Sequence, residues 1–142
     1  VGKDFNDDYS ERFLRELKNP ELKNVVFFYD SKIDILNILQ QCVIGILVSK
    51  SEGLPLALLE YGLDGLAVNS SDVGECKSVL PNSDLGILLE NDDASTIANA
   101  IINYIENQKY REKCAVKFME RVDEFYSKDA ILKEVVATYK SL

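Results

Sequence analysis

The chain has 142 residues, of which 46% are hydrophobic and 28% charged, and a formal net charge of -8. These values predict one soluble globular domain with a real core and exclude a disordered tract. The acidic balance, with no long basic run, argues against nucleic-acid binding. With no histidine in the chain, Ser–His and Cys–His nucleophilic catalysis and His-ligated zinc are also excluded.

The predicted elements alternate between helix and strand. Tyr9–Lys18 reads as an amphipathic helix with Phe13, Leu14 and Leu17 on one face, ended by Asn19-Pro20. Val25–Tyr29 (VVFFY) is β-branched and aromatic without polar alternation, the pattern of a buried strand. A helix over Ile33–Gln41 follows, then a second buried strand over Val43–Val48. Pro55–Asp64 reads as a helix and Gly65–Asn69 as a short strand. After a Ser-Ser-Asp-Val-Gly loop come a helical turn at Glu75–Leu80, a strand at Gly86–Leu89 and a turn at Asn91–Asp93. Three helices close the chain: Ala94–Glu106, Gln108–Phe125 and Lys128–Tyr139.

Short apolar strands alternating with helices predict an α/β fold, a doubly wound parallel sheet covered on both faces. In such sheets ligands bind beyond the carboxyl ends of the strands. The loops expected there are Gly2–Asp8, Tyr29–Lys32, Ser49–Leu54, Ser70–Gly74 and Glu90–Asp93.

Cys42, Cys76 and Cys114 are odd in number, far apart and outside any C-x-x-C pattern, so reduced thiols in a cytoplasmic protein are expected. No apolar run reaches the roughly 20 residues of a bilayer span, and no signal peptide is visible. The start at Val1, without a methionine, reads as an excised part of a longer protein.

The most specific stretch is Ser49–Gly62, SKSEGLPLALLEYG. A strand feeds a loop with one carboxylate, Glu52, followed by Gly53; Pro55 stands where a helix is expected to begin, and Glu60 lies inside that helix. The spacing of the two acids is weak evidence: Glu112 and Glu120 repeat it within a predicted surface helix, and twelve glutamates make such a pair expected by chance. The context is stronger. Proline suits the first helical position, free amides at a helix N-terminus favour phosphate, and glycine permits close approach of a ligand. Helical side chains lean towards the N-terminus, so the Glu60 carboxylate can accept from sugar hydroxyls while a diphosphate sits at the helix end. The bland alternative is a plain strand-to-helix turn with two surface acids. Asp7-Asp8 and Asp92-Asp93 read as a helix start and a solvated turn.

SEGLPLALLEYG resembles the signature of the retaining nucleotide-sugar glycosyltransferases of group 1 (family 4), which fold as two facing Rossmann-like domains. VVFFYDSKIDILNILQQCVIGILVS, SSDVGECKSVL and GILLENDD are similar to the family's segments in the same order. The resemblance covers nearly the whole chain, and only the C-terminal, donor-binding half of such an enzyme. It implies that Glu52 lies by the donor sugar and the reacting centre as the catalytic acid, and that Glu60 binds ribose hydroxyls. Gly53, Leu54, Pro55 and Leu56 match the diphosphate cradle, and Gly2 matches a glycine loop below the donor. The family's basic pair falls before Val1.

The implied activity is transfer of a sugar, hexosyl in type, from a nucleotide diphosphate sugar to an acceptor hydroxyl in polysaccharide or glycolipid synthesis, with no cofactor or metal. Implied partners are the donor, an N-terminal acceptor domain and, through a lipid-linked acceptor, the inner face of a membrane. Alone, such a fragment is expected to bind weakly and transfer nothing. The alternative is a non-catalytic nucleotide-sugar-binding or interaction module of the same fold.

Overall fold

The computed structural model describes residues 6–29, 31 and 34–141. They fall into two compact units, Val1–Ile35 and Leu36–Leu142. In the first, helix α1 spans Asp8–Glu16, and the Asp7 side chain caps it by accepting from the Ser10 N–H at 2.8 Å. That hydrogen bond holds the Asp7 carboxyl below the usual range. Asn19 caps a short 3-10 turn at Pro20–Leu22 in the same way. Gly2 and Ile33 lie outside the described residues.

The expected strand at Val25–Tyr29 does not form. Val25 and Val26 donate to the Leu22 carbonyl at 3.1 and 3.0 Å, and Val25 and Phe27 are 71% and 65% exposed. A β-strand needs a neighbour to satisfy its backbone groups, and this segment has none among the described residues. Phe28 makes an edge-on ring contact with Phe13 at 5.9 Å. The apolar pattern is that of a strand, and no partner strand stands beside it among the described residues.

In the second unit three strands form a parallel sheet in the order β1-β2-β3, with β1 at Ile44–Leu47, β2 at Ala67–Ser71 and β3 at Ile87–Leu89. Ile44 pairs with Ala67 and Leu47 with Ser70; Asn69 pairs with Ile87 and Ser71 with Leu89. Parallel neighbours require crossovers. Helix α3 (Leu56–Leu63) joins β1 to β2, and α4 (Cys76–Val79) joins β2 to β3. Helices α5 (Ala94–Glu106), α6 (Gln108–Tyr126) and α7 (Lys128–Lys140) follow, with α2 (Ile35–Leu39) ahead of β1. The elements lie within about two residues of the predicted ranges.

Successive residues of β2 face opposite sides, and each side has its own core. Val68 packs with Leu58 of α3, Val79 and Leu80 from the α4 region, and Phe118 and Val122 of α6. Ala67 packs with Tyr104 of α5 and Cys114 of α6. This is the α/β architecture with cover on both sheet faces that the alternating pattern predicted. The Tyr104 hydroxyl donates to the Val68 carbonyl at 3.1 Å, which satisfies a buried phenol.

Helix α3 approaches α6 closely because residue 62 is glycine. A Cβ there would lie 2.6 Å from Val122 Cγ2 and 2.9 Å from Phe118 Cε1. Arg121 of α6 caps α4 by donating to the Val79 and Ser78 carbonyls at 3.0 and 2.8 Å. Lys113 and Lys117 clasp Asp84 at 2.9 and 2.7 Å, and their hydrogen bonds hold its carboxyl down to about 2. Among the described residues no helix is long and apolar enough to cross a membrane.

Candidate functional site

All three parallel strands end on the same side, so the loops that follow them meet there. Those loops carry Ser49–Pro55, Asp72–Glu75 and Glu90–Asp93. The end of β2 is polar although buried: Asn69, Ser70 and Ser71 are all inside. Ser71 Oγ accepts from the Ser49 N–H at 3.2 Å and ties the first loop to the second. Asp93 caps α5 by accepting from the Ser95 and Thr96 amides at 2.9 Å, and its contacts with Ser95 and Thr96 hold it to about 2. That capping role accounts for Asp93 of the Asp92-Asp93 pair.

The acidic loop then departs from β1 with its carboxylate engaged. Ser49 Oγ donates to Glu52 Oε1 at 2.6 Å, and Glu52 is half-buried. Gly53 is exposed, and a Cβ added to it would meet nothing within 4 Å. Leu54 and Leu56 are exposed at 50% and 65%, while Pro55 is fully buried.

Pro55 is not the first helical residue. It is the N-cap of α3, with φ -77° and ψ 83°, and makes no side-chain cap hydrogen bond. Its carbonyl accepts from Leu58 and Leu59 at 3.0 and 3.3 Å. The displacement by one residue adds a donor, because Leu56, which has an N–H, takes the first helical position in place of a residue that lacks one. Among the described residues, the N–H groups of Gly53, Leu54, Leu56 and Ala57 have no acceptor within the protein. These four donors surround an uncapped helix end carrying about half a unit of positive charge.

Glu60 is exposed on α3, and its carboxylate makes no hydrogen bond or ion pair among the described residues. It lies four residues beyond Leu56, about 6 Å along the axis. Its neighbour Tyr61 is half-buried; burial first, and the nearby Glu60 charge second, push the phenol pKa up. Glu112 and Glu120, by contrast, are exposed on α6.

Beside the acidic loop is a pocket of about 330 Å³, lined by Ser49, Lys50, Ser71, Asp72 and residues 89–92. It touches the loop's first residues only, and excludes Gly53, Leu54 and Glu60. A larger concavity, about 680 Å³, lies at the α6–α7 junction around Phe125, Asp129 and Lys133, and none of its lining residues belongs to the strand-end loops. Size therefore does not single out the strand-end loops in this chain.

A family model described as glycosyl transferases group 1 matches residues 1–118. The chain belongs to this family. A curated relative from Campylobacter jejuni, N,N'-diacetylbacillosaminyl-diphospho-undecaprenol alpha-1,3-N-acetylgalactosaminyltransferase, is 30% identical over 86 residues, 61% of this chain and 23% of that protein. Among solved structures, Anabaena Alr3699/HepE in complex with UDP superposes over 100% of this chain and 40% of its own, with a TM-score of 0.91 and 21% identity. A glycosyltransferase from Rickettsia africae gives 0.85 at 19% identity, over 99% of this chain and 38% of its own. The sucrose-phosphate synthase of Thermosynechococcus elongatus gives 0.83 at 21% identity, over 99% and 36%. This group 1 chain thus spans well under half the length of each of these relatives.

Within the group 1 chain, Glu52, Gly53, Leu54, Pro55 and Leu56 form one continuous loop and helix entry, and Glu60 follows on the same helix. Sequence reasoning missed Ser49, Ser71 and Gly74. The backbone at Glu52–Gly53 rests on Gly74: the Glu75 N–H donates to the Gly53 carbonyl at 3.2 Å, and a Cβ on Gly74 would lie 1.9 Å from the Glu52 carbonyl oxygen. A serine three residues before the acid was visible in the sequence. The contact between segments 22 residues apart was not.

Proposed function

We propose that this chain is the donor-binding domain of a retaining glycosyltransferase that moves a hexosyl-type sugar from a nucleotide diphosphate sugar to an acceptor hydroxyl. One observation carries the reading: four unpaired amides, of Gly53, Leu54, Leu56 and Ala57, surround the uncapped N-terminus of α3 between two carboxylates. Amides and a helix dipole stabilise the charge that builds on a leaving diphosphate without having to reorganise. Glu52, held by Ser49, faces the donor sugar and favours positive charge at the carbon whose bond to the diphosphate breaks. Glu60 accepts hydrogen bonds from ribose hydroxyls, the chemistry open to an ionised carboxylate. Neither role calls for a metal or a cofactor.

Two relatives support the substrate classes. One has been solved with UDP bound, and another is named for transferring N-acetylgalactosamine to a diphospho-undecaprenol. On this reading the product is a polysaccharide or glycolipid, and the acceptor brings the enzyme to the inner face of a membrane from the cytoplasm. The acceptor domain is a further part of the polypeptide. It docks on the apolar stripe of α7, where Ile131, Leu132, Val135, Val136 and Tyr139 are between 42% and 74% exposed. The chain alone binds donor and transfers nothing.

Calorimetric titration with uridine and guanosine diphosphates tests the site. Saturable binding of one of them is expected, and Glu60→Ala should weaken it about tenfold to a hundredfold, the cost of a hydrogen bond to a charged group. No saturable binding of either nucleotide, or unaltered binding by Glu60→Ala, would rule the reading out.

A further inference from the structure

The end of β2 and the loop after it contact the acidic loop at two points, and neither belongs to the donor-binding groups named above. At the first, Gly74 adopts φ +52°, and its missing Cβ leaves room for the Glu52 carbonyl. The adjacent Glu75 N–H donates to the Gly53 carbonyl at 3.2 Å. At the second, Ser71 Oγ accepts from the Ser49 N–H, and Ser49 Oγ in turn donates to Glu52 Oε1 at 2.6 Å. The Glu52–Gly53 region is therefore held at two places: its backbone from outside the loop by residues 74–75, and its carboxylate from within the loop by Ser49, which Ser71 anchors.

We propose that Gly74 and Ser49 are positioning residues of the donor site, Gly74 seating the Glu52–Gly53 backbone and Ser49 aiming the Glu52 carboxylate. The inference rests on the donor-binding reading above and adds a division of labour to it. With the Glu52 and Gly53 carbonyls turned to residues 74–75, the Gly53 and Leu54 amides next to the helix entry stay unpaired. With Oε1 occupied by Ser49, Oε2 is the oxygen left to accept from a sugar. A Cβ at position 74 cannot be accommodated by a side-chain rotation, because the atom it would strike is backbone. The acidic loop must shift by about an ångström, a displacement that costs roughly a hundredfold at a preorganised centre.

The two positions have different signatures, which a merely structural role would not produce. In titrations of the chain with UDP and with UDP-glucose, Gly74→Ala should weaken both ligands at least tenfold, because it moves the amides as well as the acid. Ser49→Ala should leave UDP binding within twofold and weaken UDP-glucose several-fold, and Ser49→Thr, which keeps the hydroxyl, should restore it. If guanosine diphosphate is the nucleotide that binds, GDP and GDP-mannose replace the pair. Folded Gly74→Ala and Ser49→Ala proteins that bind both ligands like the unaltered chain would overturn the proposal while leaving the donor-binding reading intact. If Gly74→Ala does not fold, the Ser49 pair decides: equal loss of UDP and UDP-glucose, or no rescue by threonine, overturns it. If the unaltered chain binds no nucleotide, the donor-binding reading fails and this proposal fails with it.

Discussion

Helices α6 and α7 are consecutive, separated by Ser127, and both carry apolar residues at helical spacing, yet they have opposite fates. Helix α6 buries Cys114, Phe118 and Val122 and contributes to the cores on both sheet faces. Helix α7 buries none of its residues. Its stripe of Ile131, Leu132, Val135, Val136 and Tyr139 is exposed throughout. Both patterns are those of a helix with one face to cover. The difference is what lies opposite: α6 faces β2 and Gly62 of α3, while among the described residues α7 makes its main contact with α6. An apolar stripe thus shows that a face needs a partner, and leaves open whether the same chain supplies it.

Substitution on the two helices can break this contrast. Phe118→Ala removes a fully buried ring from the larger core, and a loss of about 3–5 kcal/mol in urea unfolding is expected. A loss below about 1 kcal/mol would mean that α6 does not organise the core. On α7, Val135→Ser and Val136→Ser should each change stability by less than about 0.5 kcal/mol, as surface substitutions do. A loss above about 2 kcal/mol from either would place α7 inside the fold and remove the docking stripe.

The same reasoning explains which parts of the fold were legible in the sequence. The strands at Ile44–Leu47, Ala67–Ser71 and Ile87–Leu89 were legible because each opens on apolar residues, is bounded by polar or glycine-containing turns, and has a neighbour. Val25–Tyr29 has an equally good strand pattern and no neighbour among the described residues, so the same signal failed there. Helix α5 was legible to the residue because Asp93 caps its start and Ile97, Ile101 and Ile105 mark its face.

The candidate site was legible where it is local. The strand, Glu52, Gly53, the proline and Glu60 lie within 18 residues, and their order implied a helix end with free amides. Pro55 was misplaced by one residue because its fixed φ suits both the N-cap and the first helical position; ψ decides between them, and sequence does not encode ψ that finely. Gly74 and Ser71 were missed for a different reason. Their roles arise from two loops brought together by parallel strand pairing, a tertiary contact without a local pattern.

The central claim is that the unpaired amides around the start of α3 receive a diphosphate. Amide chemical-shift mapping during titration of the isotopically labelled chain with UDP and GDP tests it most directly. The account predicts that one of these nucleotides produces its largest saturable shifts at the Gly53, Leu54, Leu56 and Ala57 N–H groups. Saturable shifts centred instead on the pocket lined by Asp72, Glu90 and Asp92, or no saturable shift at those four amides with either nucleotide, would contradict it.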